Sequence, residues 1–527
     1  MVRALLVGAF VALAAAAPRR LAAEPELPPE LLEPNATADR VVTTTTELVE
    51  AMKQPAMSIS LKLDGTFDLS SLVNASATEE SLLPIISAGK HITLWSDTGA
   101  VLNAGGEGRI FTVQSGGMLL LQAVHLMSGK TELGGGGCVL VQDDPFDIQE
   151  GTSWFVVRHG RFSNCTVAAT DAAVNAEGGA VDVAGGTVVM TGATAFEHCH
   201  VSNTAGDARG GGLGMSAGSV TLKGTTFYAT EATSTASLPT DGAAFGGGVS
   251  LAGFDTAELI MEDVEFSNTR ATSSSTTTAS YGGALGLTGG RAQIYTTKFL
   301  DTTVFSSGQA VGGGLGMSAG TVFVTDSLFV DNSANSARND AAGGGIANLG
   351  GTLNLYNVTM TNPATTASTA QAIISYPAET RAAILKVTRA PCSAGDAPMI
   401  ATPPPGGALQ LRNLTVDAPG CDVLYDSDQG TTSIYNCSAA EVCGTNAVCE
   451  LSDATVPTPL CTCPATMVSA DGARSDFLAP YSVGCMMAPA TGDTYEYTTS
   501  GAVLMIIATI ATLCGMGVMI YLHNKEK

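Results

Sequence analysis

The sequence predicts an all-β chain whose largest part is a parallel β-solenoid, and three observations carry that reading. The first is an internal repeat: GGAVDV at 178, GGGLGM at 210, GGGVSL at 246, GGALGL at 282, GGGLGM at 312 and GGGIAN at 343, spaced by 30 to 36 residues. Two stretches, 210–218 and 312–320, are the same nonapeptide GGGLGMSAG. The second is a fixed phase, in which Leu213 precedes Phe227, Leu285 precedes Phe299, Leu315 precedes Phe329 and Ile346 precedes Met360 by 14 residues. The spacing grows to 15 from Val181 to Phe196 and to 17 from Val249 to Phe266, which predicts a small insertion. The third is alternation with period two: Leu213, Met215, Val220 and Leu222 face one way, Ser216, Thr221 and Lys223 the other. A unit of about 32 residues cannot bury such a face alone, so units must stack, each closing the core of its neighbour.

Glycines between the short strands suit turns with positive φ and close approach of successive coils. Variable polar stretches such as 232–241 and 271–280 then become loops leaving one edge. The tetrapeptides FSNC (162), FEHC (196), FSNT (266), FLDT (299) and FVDN (329), beside the GGA and GGG motifs, resemble the paired GGA-I/L/V and F-x-x-N repeats of chlamydial polymorphic membrane proteins. That resemblance implies a right-handed parallel β-helix of the pectin-lyase-like kind. Only FVDN, ending at Asn332, keeps the final Asn, so the likeness is to the fold pattern.

Taken in order, residues 1–23 run from Arg3 through an Ala, Leu and Val-rich stretch and read as a secretory signal peptide. Residues 24–57 read as a linker or cap, and 58–418 as the solenoid, with strands beginning at ISLKLDGTFDLS and a last coil at GGALQLRNLTV. Residues 419–436 form a connector. Sequons stand at Asn35, Asn74, Asn164, Asn357, Asn413 and Asn436 and mark surface positions for glycosylation in a secreted chain.

Twelve cysteines are unevenly distributed. Cys165 and Cys199 occupy the same place in successive units, about 4.8 Å apart, within disulfide reach, and are predicted to bridge. Cys392 and Cys421 pair next, which leaves Cys138 alone in the ectodomain and Cys514 in the C-terminal apolar run. Six more lie between 437 and 485, spaced C-x5-C-x5-C-x11-C-x-C-x21-C. With NAVCE at 446–450 and CTCP at 461–464, this segment resembles an EGF-like module. The resemblance implies the pairs Cys437 to Cys449, Cys443 to Cys461 and Cys463 to Cys485. The preceding TTSIYN lacks the pattern of calcium-binding modules, so no calcium is expected there. Residues 486–500 form a stalk, and the uncharged run 501–522 is long enough to span a bilayer. Lys525 and Lys527 follow in a cytoplasmic tail of residues 523–527. A GPI signal is the alternative reading of this end.

Chemistry-bearing residues are sparse. VQDD at 141–144 and RHG at 158–160 resemble the paired-aspartate and Gly-His-Gly elements of polygalacturonases, which makes Asp143, Asp144 and His159 the catalytic candidates. The other elements of that family are missing, and a net charge of −24 repels a polyuronate. His198 and His200 flank Cys199, too small a grouping for a metal centre. Glu258, Glu262, Asp263 and Glu265 read as an outward carboxylate stripe. No metal, no cofactor and no nucleic-acid partner are expected. The sequence thus points to a type I, single-pass plasma-membrane glycoprotein whose ectodomain binds an extracellular protein or glycan without catalysis. A tethered polysaccharide lyase or hydrolase and a structural coat protein are the alternatives.

Overall fold

Each repeat folds into one turn of a parallel solenoid. In this computed structural model the described residues run from 40 to 402, apart from 73–80, 133, 144–151, 172–174, 237–241, 254–255, 339, 366–371, 376–378 and 390–398. They continue as the strands Ala408–Asp417, Leu424–Asp426, Thr431–Tyr435, Val448–Leu451, Pro459–Thr462, Met467–Ser469 and Cys485–Met487. The chain divides into two compact units, 1–435 and 436–527.

One turn shows the plan. A short outer strand, Ala208–Arg209, leads through three glycines into Leu213–Lys223, which bends at 216–218 into a glycine-flanked limb and a middle limb. The Phe strand Thr226–Tyr228 and the alanine strand Glu231–Ser234 complete it. Every element pairs in parallel with its counterpart one turn on: Leu213 with Val249, Val220 with Leu259, Phe227 with Phe266 and Ala232 with Ala271. The alternation read from sequence is realised, since Leu213, Met215, Val220 and Leu222 are buried in one continuous core.

That core is threaded by a ladder of rings. Phe162, Phe196, Phe227, Phe266, Phe299 and Phe329 stack with centroids 4.3–5.2 Å apart and planes within 16°. Stacking of this kind adds to what each ring gains from the area it buries. A second, thinner core lies between the alanine and outer strands, where Val167, Val201 and Ala232 meet Ala176 and Ala208. Small residues are required there because two layers approach closely.

The turns that flank the Phe strand explain the Asn, Asp and His of the tetrapeptides. Asn164, His198, Asn268, Asp301, Asp331 and Asn362 all adopt φ near +50° after it, a conformation Asn and Asp tolerate better than other side chains. The following residue, Cys165, Cys199, Thr269, Thr302 or Asn332, points into the core. Asn362 donates to Asp331 Oδ1 at 3.0 Å, so successive turns are also tied along the axis. The irregular spacings fall at corners: the 17-residue interval opens at 252–257, between Val249–Leu251 and Glu258–Glu262, and the 15-residue interval adds one residue at 192–194.

The solenoid reaches beyond both sequence-derived boundaries. Arg40–Val42 pairs with Ser58–Leu63. The helix Thr45–Met52, closed by a capping box of Thr44 with Glu47, lays Leu48, Ala51 and Met52 on the end of the core. This caps a sheet stack that would otherwise expose unpaired strands. At the other end Leu424–Asp426 and Thr431–Tyr435 still pair in parallel, so the segment expected as a connector continues the ladder. Among the described residues the second unit holds two short antiparallel pairs, one with Cys449 opposite Cys461 and one with Ser469 opposite Cys485. Cys392, Cys421, Cys437, Cys443 and Cys463 lie outside the described residues.

The expected Cys165–Cys199 bridge is corrected. The disulfide joins Cys138 to Cys165, with Cα atoms 5.6 Å apart, and Cys199 is a buried free thiol. Cys165 and Cys199 are indeed equivalent, since the N–H groups of His200 and Glu231 donate to their respective carbonyls. The missed neighbour lies within the turn. Cys138 stands just before the glycine-flanked limb, across the core from Cys165, and its N–H donates to the carbonyl of Ala180, its counterpart one turn on. Cys199 therefore faces an alanine where Cys165 faces a thiol. Burial, the largest cause, pushes the Cys199 thiol up to about 12, and the thiolate is the reactive form. Non-reducing peptide mapping is expected to yield a Cys138–Cys165 link, with Cys199 alkylated only after unfolding; a Cys165–Cys199 link would refute the assignment.

Candidate functional site

The middle limb sends alternate side chains out of the solenoid, and over four successive turns these form a chemically mixed face. Its rows are Glu258, Ile260, Glu262; then Arg291, Gln293, Tyr295; then Thr321, Phe323, Thr325; then Thr352, Asn354, Tyr356, held in direct register. The intervening Leu259, Met261, Ala292, Ile294, Val322 and Val324 are buried and anchor the face from below. Side chains on paired strands are fixed more sharply than on loops. Tyr295 and Tyr356 share a column two turns apart, about 9.6 Å at strand spacing, with Phe323 between them in the neighbouring column.

The face is internally braced. Tyr295 Oη donates to Gln293 Oε1 at 2.9 Å, and Gln293 Nε2 donates to Glu258 Oε1 at 3.1 Å. The Arg291 guanidinium lies over the Phe323 ring, 5.5 Å from its centroid. Its Nε is buried and makes no hydrogen bond among the described residues. Tyr356 is 38% exposed. Burial raises both phenols; Arg291 opposes the shift at Tyr295, and Asp326 adds to it at Tyr356. Both therefore stay protonated donors at neutral pH. Aromatic rings beside a guanidinium suit the planar stacking by which sugars or polar peptides are held.

The same face is poorly arranged for hydrolysis. Glu258 and Glu262 are four strand residues apart, about 13 Å, beyond the span of about 5–9.5 Å that paired glycosidase carboxylates need. Glu262 is also paired with Lys223 at 2.8 Å and Glu265 with Lys298 at 3.3 Å, so the acidic stripe is bridged across turns. Asp263 occupies a positive-φ turn and accepts from Thr296 Oγ1 at 2.6 Å.

The catalytic candidates do not converge. Asp143 ends the corner before the middle limb and accepts from the Ser153 N–H at 2.9 Å. His159 sits in the turn after that limb at φ 53°. The five-residue strand Trp154–Arg158 separates them, about 16 Å of chain. Asp144 lies outside the described residues. His198 is another positive-φ turn residue, edge-on to Tyr228, and points away from the buried Cys199. Among the described residues no group of three or more His, Cys, Asp or Glu could hold a metal.

Of the sequons, Asn164 and Asn357 are exposed on positive-φ turns that bracket the Phe strand. Asn413 lies in Ala408–Asp417, and Asn35, Asn74 and Asn436 lie outside the described residues. The mixed face itself was open to sequence reasoning through one signal: RAQIY, TVFVT and TLNLY put Gln293, Phe323 and Asn354 in one column where TVVMT and SVTLK carry Val189 and Thr221. No family model matches the chain, and no curated protein is significantly similar to it.

Proposed function

We propose that this chain is a single-pass cell-surface glycoprotein whose solenoid presents the Arg291–Phe323–Tyr356 face to an extracellular glycan or protein, binding it without chemical turnover. The observation that carries this reading is the set of aromatic side chains held in register on rigid strands, with Tyr356 exposed and Phe323 half-buried beside the Arg291 guanidinium. Residues 1–23 supply export, and the apolar run 501–522 the anchor. No helix among the described residues is long and apolar enough to cross a membrane, and 501–522 lies outside them. The six cysteines of 437–485 serve as an EGF-like spacer, and the repeats as a pectin-lyase-like β-helix.

Cells displaying the full chain are expected to capture labelled glycans from a mixed array. Phe323→Ala with Tyr356→Ala should weaken capture by about tenfold, given about 0.5–1.5 kcal/mol per aromatic contact. Unchanged capture, or sugar release from polygalacturonate or alginate, would overturn the reading. Protease cutting within 486–500 should free the ectodomain, whereas release by a phosphatidylinositol-specific phospholipase would establish the GPI anchor instead.

A further inference from the structure

One position breaks the repeat in a way the recognition face does not use. The centre of the glycine-flanked limb is Gly214, Gly286 or Gly316 in three turns and Ser250 in another, but Asp182 in its own. Val181 and Val183 on either side point into the core, so Asp182 points out. It is nonetheless only 6% exposed. The backbone of Gly135 closes over it so tightly that a Cβ there would sit 1.9 Å from Asp182 Oδ2. Asp182 Oδ1 has no hydrogen-bond partner among the described residues.

The charged groups around it form a compact set. Arg109 is 7% exposed and donates from Nη2 to the Gly135 carbonyl at 2.7 Å and from Nε to the Gly136 carbonyl at 2.9 Å. Glu177, on the outer strand packed against this limb, meets Arg209 Nη1 at 3.6 Å, and Arg209 Nη2 meets Asp207 at 2.8 Å. Arg209 also lies over Phe245, 5.1 Å from its centroid. Asp182, Glu177 and Asp207 against Arg109 and Arg209 leave one carboxylate in excess, and a buried excess charge is costly.

We propose that Asp182 and Glu177 form a proton-binding site that makes the solenoid more stable as pH falls from neutral toward about 5. One proton neutralises the set. Burial, with the Glu177 charge added, raises Asp182 well above the ordinary range against the pull of Arg109. Glu177 is raised by burial against Arg209, with Asp207 adding to the rise. The sign follows: an unfolded carboxylate titrates near 4, so above that pH the folded chain holds the extra proton. The stability gained is complete below the unfolded value and is lost as pH rises through the raised folded values. The solenoid thereby hardens in acid, where most proteins weaken.

The test is thermal unfolding of the full chain in detergent micelles across pH, for the native protein and for Asp182→Asn, Asp182→Gly and the surface control Glu262→Gln. The native chain and the control should gain about 1–2 °C in Tm per pH unit on acidification over the two Asp182 variants. At pH 7 the variants should melt above the native chain. Asp182→Gly restores the residue of three other turns, so it carries the test if Asp182→Asn folds poorly. Parallel pH profiles for native and variant chains would overturn the proposal. Failure of both variants to fold at any pH would do so too, because the carboxylate would then be needed as an ion.

Discussion

Phe227→Ala is expected to cost about 3–5 kcal/mol, the range for removing a fully buried aromatic side chain. The ring lies between Phe196 at 4.5 Å and Phe266 at 4.8 Å, inclined to them by 5° and 16°, so truncation opens a gap that neither flat neighbour can fill. Glycine lies close by as well: a Cβ at Gly212 would fall 2.7 Å from the Phe227 ring, which shows how closely the corner packs on it. In a stacked array each turn is stabilised mainly by its nearest neighbours, so one lost ring weakens two interfaces. Urea unfolding measures the loss. Tyr228→Ala is the control: its side chain is 47% exposed on the opposite face, and it should change stability by about 0.5 kcal/mol or less. A loss below about 1 kcal/mol for Phe227→Ala would mean that the ladder is not a principal source of stability.

Gly211→Ala is expected to be at least as damaging, about 3 kcal/mol or more, at the top of the range for overpacking. An added Cβ would stand 2.2 Å from the Gly247 carbonyl oxygen and 2.5 Å from the Glu231 backbone N and C. All three are main-chain atoms, so no rotamer change relieves the clash and neighbouring turns must separate. Gly224→Ala provides the contrast. Gly224 has φ +62°, but the nearest atom to an added Cβ is the Ala193 N at 3.7 Å, so only the left-handed backbone cost of about 1–2 kcal/mol remains. Thermal melts of both variants separate the two roles of glycine: equal losses would show that close approach at Gly211 is unimportant.

The Phe227 and Gly211 cases mark how far the sequence reaches. Translation by one turn is a linear operation, so a 30 to 36-residue repeat in the sequence fixes which residues stack along the axis. Leu213 on Val249 and Phe227 on Phe266 were legible for that reason, as was the burial of Met215. The mixed face was not read from the sequence: alternation separates the two sides of RAQIY, TVFVT and TLNLY, but the burial of Gln293 and its bracing depend on the register of adjacent turns.

What only the tertiary structure decided lies across the turn rather than along it. Corner angles set by a few glycines determine which limb faces which, and no periodicity encodes them. They placed Cys138 against Cys165 and left Cys199 facing Ala180, although axial spacing alone favoured Cys199. They separated Asp143 from His159 by the length of a strand, and they folded Gly135 over Asp182 beside Glu177. The sequence determined the axis of this protein because stacking repeats; its cross-section, where the disulfide and the buried charges lie, follows from how each turn closes on itself.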